Sequence, residues 1–221
     1  MYGNGRQWAH DSIGATQGAT GWCLPEGSTG PGFETWVLVQ NPGEKSAKAS
    51  LTYMTNRGEV KGPVLDLEPG TRRTVRVADT VPGNWSVSTT VESDEPVIAE
   101  RSMYGNSRHW GTDSIGLSKS ARTWCLAEGS TGPGFETWVL LQNQGDETAT
   151  VSLTYMTDRG AVSGPVLSLR PGTRKTVNVA DKVPGSWGVS TFITSDRPVT
   201  VERSMYGNNR EWAHDSIGFA W

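Results

Sequence analysis

The sequence of 221 residues has no run of lysines or arginines, and its formal net charge is −3. Proteins that bind nucleic acid concentrate basic residues on one face, so the composition argues against a nucleic-acid partner. No stretch approaches the roughly 20 apolar residues that cross a membrane, and the start does not read as a signal peptide. We therefore expect no membrane span. Because Met1 aligns with Met103 and Met205, which lie inside the chain, we interpret Met1 as the cut edge of a longer array.

Cysteine is also scarce, with only Cys23 and Cys125 present. They occupy the same position in two repeats, so we expect them to lie about one domain length apart. A disulfide needs α-carbons within about 7 Å of each other, so we expect none between them. Each lies between a tryptophan and a leucine, which is typical of a small buried thiol. A catalytic thiol would need an activating histidine, and none stands at a fixed spacing from either cysteine.

Repetition is the strongest feature of the chain. Residues 1–102 align without a gap to residues 103–204, and 68 of the 102 positions are identical. The sequence MYGNGRQWAHDSIG at 1–14 recurs in variant form at 103–116 and 205–218, and we call it the closing phrase. Because PVIAERSMYGN reads as one unbroken strand, we place the phrase at the end of each repeat. The predicted organisation is a tail of a preceding repeat at 1–14, with domains at 15–118 and 119–221.

Hydrophobic residues within each repeat recur with a period of two, which predicts strands with one buried face. Glycine (27 residues) and proline (12) supply frequent turns, and long helical patterns are absent. Residues 85–105 read as a hairpin with a turn at Asp94–Glu95–Pro96. About seven strands in roughly 100 residues predict an all-β fold of two tandem immunoglobulin-like β-sandwich domains.

The stretches WCLAEGSTGPGFETWVLLQN, VSLTYMTDRG, LRPGTRKTVNVAD and ERSMYGN…HDSIG resemble a tandem repeat of actinobacterial and related bacterial surface proteins. The resemblance covers nearly the whole chain. It implies an extracellular or cell-surface, sandwich-like module whose function is poorly defined, and it supplies no catalytic residue and no cofactor.

A motif that recurs at a fixed interval indicates a joint between modules rather than a catalytic centre. We therefore predict a non-enzymatic structural or adhesive module that forms a stiff stalk or fibre, whose partners are neighbouring repeats or identical subunits associating head to tail. Arginine can stack on the tryptophan two residues later, on the same face of a strand. The predicted contact residues are the arginine, tryptophan and aspartate of each closing phrase: Arg6, Trp8, Asp11, Arg108, Trp110, Asp113, Arg210, Trp212 and Asp215.

Other interpretations stay open. Trp8, Trp110 and Trp212 suit sugar platforms of a carbohydrate-binding module, with cell-surface glycans as partners. The aspartates of the phrase suit calcium, although no dense acidic loop supports a metal site. Glu26 and Glu34 suit a glycosidase pair, but an enzyme seldom needs identical active sites in neighbouring repeats. We predict no cofactor, no metal and no enzymatic activity.

Overall fold

The computed structural model describes residues 1–220, and Trp221, the last residue of the predicted second domain, lies outside them. Strands make up 61% of the chain and helices 4%, which confirms the predicted all-β class. The chain divides into two compact units, the first spanning Met1–Lys119 and the second beginning at Ser120.

Unit 1 opens with two short strands and continues with seven longer ones. They are β1 (Tyr2–Gly3), β2 (Trp8–Ala9), β3 (Ala19–Leu24), β4 (Phe33–Gln40), β5 (Ala47–Thr55), β6 (Gly58–Leu67), β7 (Arg72–Arg76), β8 (Val87–Gly105) and β9 (Trp110–Ile115). Short 3₁₀ turns lie at Asn4–Arg6 and Val77–Asp79.

Unit 2 repeats the seven longer strands and adds a short one at its end. They are β10 (Ala121–Leu126), β11 (Phe135–Asn143), β12 (Ala149–Thr157), β13 (Gly160–Leu169), β14 (Thr173–Asn178), β15 (Val189–Gly207), β16 (Trp212–Ile217) and β17 (Phe219–Ala220). A 3₁₀ turn lies at Val179–Asp181. Within the described part of the chain, no helix has the length and apolarity that crossing a membrane would require.

The predicted hairpin at 85–105 is wrong, because β8 is one strand of 19 residues. Its first half pairs with β3 and β5, and its second half pairs with β4 and β9. Asp94, Glu95 and Pro96 therefore lie where β8 passes from one sheet to the other. Proline has no N–H for a ladder and is tolerated at such a transition, which explains why this stretch resembles a turn in the sequence.

The core of unit 1 lies between its two sheets. Val37 and Val39 on β4 are fully buried, and so are Val97 and Ala99 on β8. Intervening side chains such as Trp36 point to the opposite, outer face of the sheet and are partly exposed. Each fully buried valine or leucine contributes roughly 1.5–3 kcal/mol through removal of its apolar surface from water. The alternation therefore fixes which side chains are available on the outer face.

The two cysteines differ in their surroundings. Cys23 is buried, and burial raises the pKa of its thiol to about 12. Its backbone N–H and C=O pair with Leu117, at 2.8 Å in each direction. Cys125 is half-buried and pairs with Phe219 on β17. Cys23 is a packing residue, as its neighbours in the sequence predict.

Candidate functional site

The closing phrase forms a β-hairpin in which the end of β8 turns back into β9. Asn106, Ser107 and Arg108 at the turn all have positive φ, at 49°, 55° and 65°. A left-handed conformation costs a non-glycine residue roughly 1–2 kcal/mol. Asn208, Asn209 and Arg210 repeat these angles before β16, so the same strained turn is built in both units.

The tryptophan of the phrase lies over a glycine on the opposite strand. Gly105 pairs with Trp110 across the hairpin, and a Cβ at Gly105 would overlap the indole ring. Gly207 and Trp212 make the same pair in unit 2. Phe33 meets the Trp110 ring edge-on, with centroids 5.6 Å apart. The ring thus covers a strand position that lacks a side chain of its own.

The arginine of the phrase does not stack on the tryptophan two residues later. Arg108 lies over the Tyr104 ring, 5.4 Å from its centroid, and forms an ion pair with Glu34 at 2.6 Å. Hydrogen bonding from Arg108 lowers the pKa of Glu34. Arg210 repeats the arrangement in unit 2, 5.4 Å from the Tyr206 centroid and 2.8 Å from a Glu136 oxygen. In both units the arginine therefore ties the strained turn to the outer face of its own sheet.

Residues 1–14 form a smaller hairpin with the same internal geometry, which we call the N-terminal hairpin. Tyr2 pairs with Ala9 and Gly3 with Trp8, and a Cβ at Gly3 would overlap the Trp8 ring. Gly5 and the residues around it adopt the same left-handed turn. This segment therefore has the shape of the closing hairpin without a sandwich of its own.

Trp8 anchors the N-terminal hairpin to the outer face of unit 1. Its indole Nε1 donates a hydrogen bond to the Arg108 carbonyl oxygen at 3.0 Å. Its ring meets Tyr104 edge-on, with centroids 6.1 Å apart. The ring also lies against Gly111, where a Cβ would stand 2.5 Å from Trp8 Cη2. One closing phrase thus packs directly on another.

His10 and Ser12 continue this contact along β9, which is the edge strand of its sheet. His10 Nδ1 lies 2.7 Å from Asp113 Oδ1, an ion pair when the imidazole is protonated, and 3.2 Å from the Asp113 nitrogen. Ser12 Oγ accepts a hydrogen bond from the Ile115 N–H at 3.1 Å. Edge strands expose backbone donors that invite pairing, and here the Ser12 hydroxyl satisfies one such donor while His10 contacts the Asp113 carboxylate.

Asp113 also interacts with Glu100 on β8. Burial and the adjacent Asp113 charge raise the pKa of Glu100. Burial acts in the same direction on Asp113, but hydrogen bonding and charge from His10 outweigh it, so the pKa of Asp113 is lowered. The two shifts run in opposite directions, so Glu100 takes up a proton before Asp113 does as pH falls, and Asp113 stays ionised to lower pH beside His10.

A cavity of about 520 Å³ adjoins this contact on unit 1. Its lining includes the aromatic side chains of Trp36 and Tyr104, the charged groups of Arg72 and Arg108, and the Glu100 carboxyl. Arg76 lies 6.0 Å from the centroid of the Trp36 ring. The cavity combines aromatic faces with charges of both signs, which suits a polar ligand.

The two candidate carboxylates of a hydrolase are both engaged with arginine. Glu26 is buried and pairs with the buried Arg101, while Glu34 pairs with Arg108. Adjacent residues of β8 thus serve different purposes, since Glu100 faces Asp113 on the outer face and Arg101 faces Glu26.

The remaining predicted residues occupy different environments. Arg6 and Asp11 are exposed, whereas Asp215 is buried. The Trp110 ring is only 2% exposed, so it presents no face to a sugar, and Trp212 is 37% exposed. His10 and Ser12, which make close contacts, were not among the sequence candidates.

Sequence reasoning also missed Trp85 and Trp187 as candidates. They are the most exposed tryptophans in residues 1–220, at 57% and 66%. The Trp85 ring rests on Gly30, where a Cβ would stand 2.7 Å from it, and meets Phe33 edge-on at 5.7 Å. Trp187 lies in the same way on Gly132. Each ring packs on a glycine on one side and is open on the other. The sequence feature that could have identified them is their shared position beside a Pro-Gly turn.

Comparisons with known proteins give structural similarity only. No protein-family model and no curated sequence matches the chain. A Thermotoga maritima protein, 1070, matches 46% of this chain over 96% of its own length, at 24% identity and a TM-score of 0.42. The Anabaena sensory rhodopsin transducer matches 39% of this chain over 98% of its own, at 28% identity and a TM-score of 0.35.

A yeast enzyme is also among the structures that match. Allantoicase from Saccharomyces cerevisiae covers 90% of this chain and 74% of its own length, at 6% identity and a TM-score of 0.26. At these TM-scores, none of the three similarities carries functional information.

Proposed function

We propose that the protein is a non-enzymatic structural repeat module whose closing phrases bind one another and so join successive modules into a stalk or fibre. The observation that supports this is the packing of the N-terminal hairpin on the hairpin of unit 1. Trp8 supplies a ring contact and a hydrogen bond, and His10 and Ser12 meet the edge of β9. A phrase that binds another copy of itself is suited to joining repeats.

The acceptor side of this contact is preorganised, because Arg108 ties down the strained turn at 106–108, and in the docked hairpin the Trp8 ring is stacked over Gly3. Preorganised groups lose little conformational freedom when they bind. Nearest-neighbour contacts of this kind are what give linear repeat assemblies their stiffness.

We propose further that each unit is an immunoglobulin-like sandwich of seven strands, with the domains at 15–118 and 119–221. Seven longer strands and the crossing of β8 between sheets support this assignment. The resemblance to bacterial surface repeats supports an extracellular or cell-surface location, with neighbouring repeats or identical subunits as partners.

Small-angle scattering of wild type and Trp110→Ala tests the joining role. We expect the variant to keep its circular dichroism spectrum and to show a broader distribution of interatomic distances. Trp187→Ala is the matched control, because it removes an exposed tryptophan outside the closing phrase. Identical distributions for wild type and Trp110→Ala would refute the joining role of the phrase.

A second candidate function is carbohydrate binding through Trp85 and Trp187. One face of each ring packs on glycine and the other faces solvent. Sugar rings stack on rigid aromatic faces, and an indole that is already fixed loses little entropy on binding. Two equivalent rings in one chain would also allow bivalent attachment to a polysaccharide.

A glycan array with wild type and Trp85→Ala/Trp187→Ala tests this second function. We expect binding to disappear in the double variant while the unfolding midpoint is unchanged. Trp212→Ala serves as the control, since Trp212 is the partly exposed tryptophan of the phrase. Binding that survives the double variant and is lost in Trp212→Ala would assign the platform to the closing phrase instead.

A further inference from the structure

We propose that residues 1–14 act as a built-in plug, and that the binding surface they cover is the docking site for the C-terminal hairpin of a second copy of this chain. The C-terminal hairpin is Met205–Gly218. The acceptor surface comprises Tyr104, Arg108, Gly111, Asp113 and Ile115. This inference rests on the proposed joining function. It names the partner that is joined and the segment that regulates the joining.

The two hairpins carry the same tryptophan, histidine and serine, whereas Met1, which accepts a hydrogen bond from the Tyr104 hydroxyl, corresponds to Met205, which is buried in unit 2. Residues 205–218 match residues 1–14 at 12 of 14 positions, differing only at Asn209 and Glu211. Trp212, His214 and Ser216 therefore stand where Trp8, His10 and Ser12 make their contacts. By comparison, residues 103–116 match the N-terminal hairpin at 10 of 14 positions, with Gly111 and Thr112 in place of alanine and histidine.

The two hairpins also share their backbone geometry. Gly207 pairs with Trp212 as Gly3 pairs with Trp8, and in both cases a glycine Cβ would overlap the ring. The turn before β16 is left-handed, as is the turn before β2. The indole of the C-terminal hairpin therefore has the orientation that the acceptor surface already accommodates.

The contact face of the C-terminal hairpin is accessible. Trp212 is 37% exposed, and His214 and Ser216 are both exposed. Among residues 1–220, β16 pairs with β15 alone, so it is an edge strand there. His214 Nδ1 lies 2.9 Å from an Arg203 nitrogen, and we expect it to exchange this contact for the Asp113 carboxylate, which bears the opposite charge to arginine.

The plug and the second copy compete for one surface. A segment in the same chain has an effective concentration in the millimolar range or above, so the N-terminal hairpin holds the acceptor surface at ordinary protein concentrations. The apparent affinity for the second copy falls by the fraction of molecules whose acceptor surface is open. Because donor and acceptor lie in different units, each docking leaves another hairpin exposed, and assembly is head to tail.

Sedimentation velocity over a concentration series tests the proposal in the chain of residues 1–221. Trp8→Ala/His10→Ala should release the plug while leaving the C-terminal hairpin intact. We expect its association constant to exceed that of wild type by at least about tenfold. Tyr2→Ala is the matched control, since Tyr2 is an exposed residue of the same segment, and it should sediment as wild type.

Three further variants test whether the predicted surfaces are used. Adding Trp212→Ala to the plug variant should return it to wild-type sedimentation, whereas adding Trp187→Ala should not. Gly111→Ala should release the plug and also prevent association, because its Cβ would occupy the space of the incoming indole. This variant separates specific docking from aggregation through exposed apolar surface.

The proposal fails if the plug variant remains monomeric, or if its association persists after Trp212→Ala. Either result is distinct from a failure of the joining function, which is measured on Trp110→Ala by scattering at low concentration. A stalk whose repeats are joined only within one chain would pass the scattering test and fail this one.

Discussion

The N-terminal and C-terminal hairpins have nearly the same sequence and different surroundings. His10 is 7% exposed and lies beside Asp113, whereas His214 is exposed and lies beside Arg203. The sequence of the phrase therefore sets the shape of the hairpin, and what lies against it sets the role of each side chain. The same tryptophan is an anchor in one hairpin and a partly exposed ring in the other.

The largest expected effect is on the free energy of unfolding. It should distinguish the hairpin of unit 1, which belongs to a sandwich, from the N-terminal hairpin, which does not. Gly105→Ala should lower the free energy of unfolding by about 2–3 kcal/mol, because the new Cβ overlaps the Trp110 ring. Gly3→Ala creates the same overlap with Trp8 in residues that lie outside the sandwich. We expect it to leave the urea unfolding midpoint nearly unchanged, and equal losses for the two variants would contradict this distinction.

Removing the histidines should affect only the docked hairpin. His10→Ala loses a charge-assisted contact worth roughly 1.5–3 kcal/mol, so cleavage by trypsin after Arg6 should accelerate by at least about tenfold. His214→Ala should leave cleavage after Arg210 unchanged. If both sites respond equally, His10 does not hold the N-terminal hairpin in place.

Acid should release the N-terminal hairpin. The pKa of Asp113 is lowered mainly by His10, against the effect of burial, and returns towards its ordinary value of about 3.9 when the hairpin leaves. Docking is therefore strongest above that value and weakens as pH falls through the lowered pKa of the docked state. The neighbouring groups are Glu100, whose pKa is raised, and the amino group of Met1.

Hydrogen exchange of residues 2–9 across this pH range measures the release. Asp113→Asn should remove most of the dependence on pH. A variant that retained the full dependence would assign the effect to Glu100 instead.

The smallest expected effect on the free energy of unfolding comes from the left-handed turn between β8 and β9. Ser107→Gly should raise the free energy of unfolding by about 0.5–1 kcal/mol, since glycine adopts positive φ without steric cost. The N-terminal hairpin already has Gly5 at this position. Denaturant unfolding measures the change, and a loss of stability would show that Ser107 makes a contact that outweighs its backbone strain.

The sequence predicted the β class and the repeat because both follow from local periodicity. It failed at Asp94–Glu95–Pro96, where polar residues and proline resemble a turn but lie on a strand that changes sheets. Arg108 was expected over Trp110 because the prediction used spacing along one strand; its actual partners, Tyr104 and Glu34, come from β8 and β4. His10 was not among the sequence candidates, since its contact with Asp113 joins residues 103 positions apart and Thr112 stands at its position in the next repeat.

The shared strand β8 has a mechanical consequence. It runs through both sheets of unit 1, so opening either sheet pulls on a strand that the other sheet also holds. Each unit should therefore unfold in one cooperative step, with no stable half-unfolded form under tension. Because β8 pairs with β3 and β4, which lie far before it in the chain, it also gives the fold a high contact order and slow refolding. A fibre of such units would hold its length under load and recover slowly once a unit has opened.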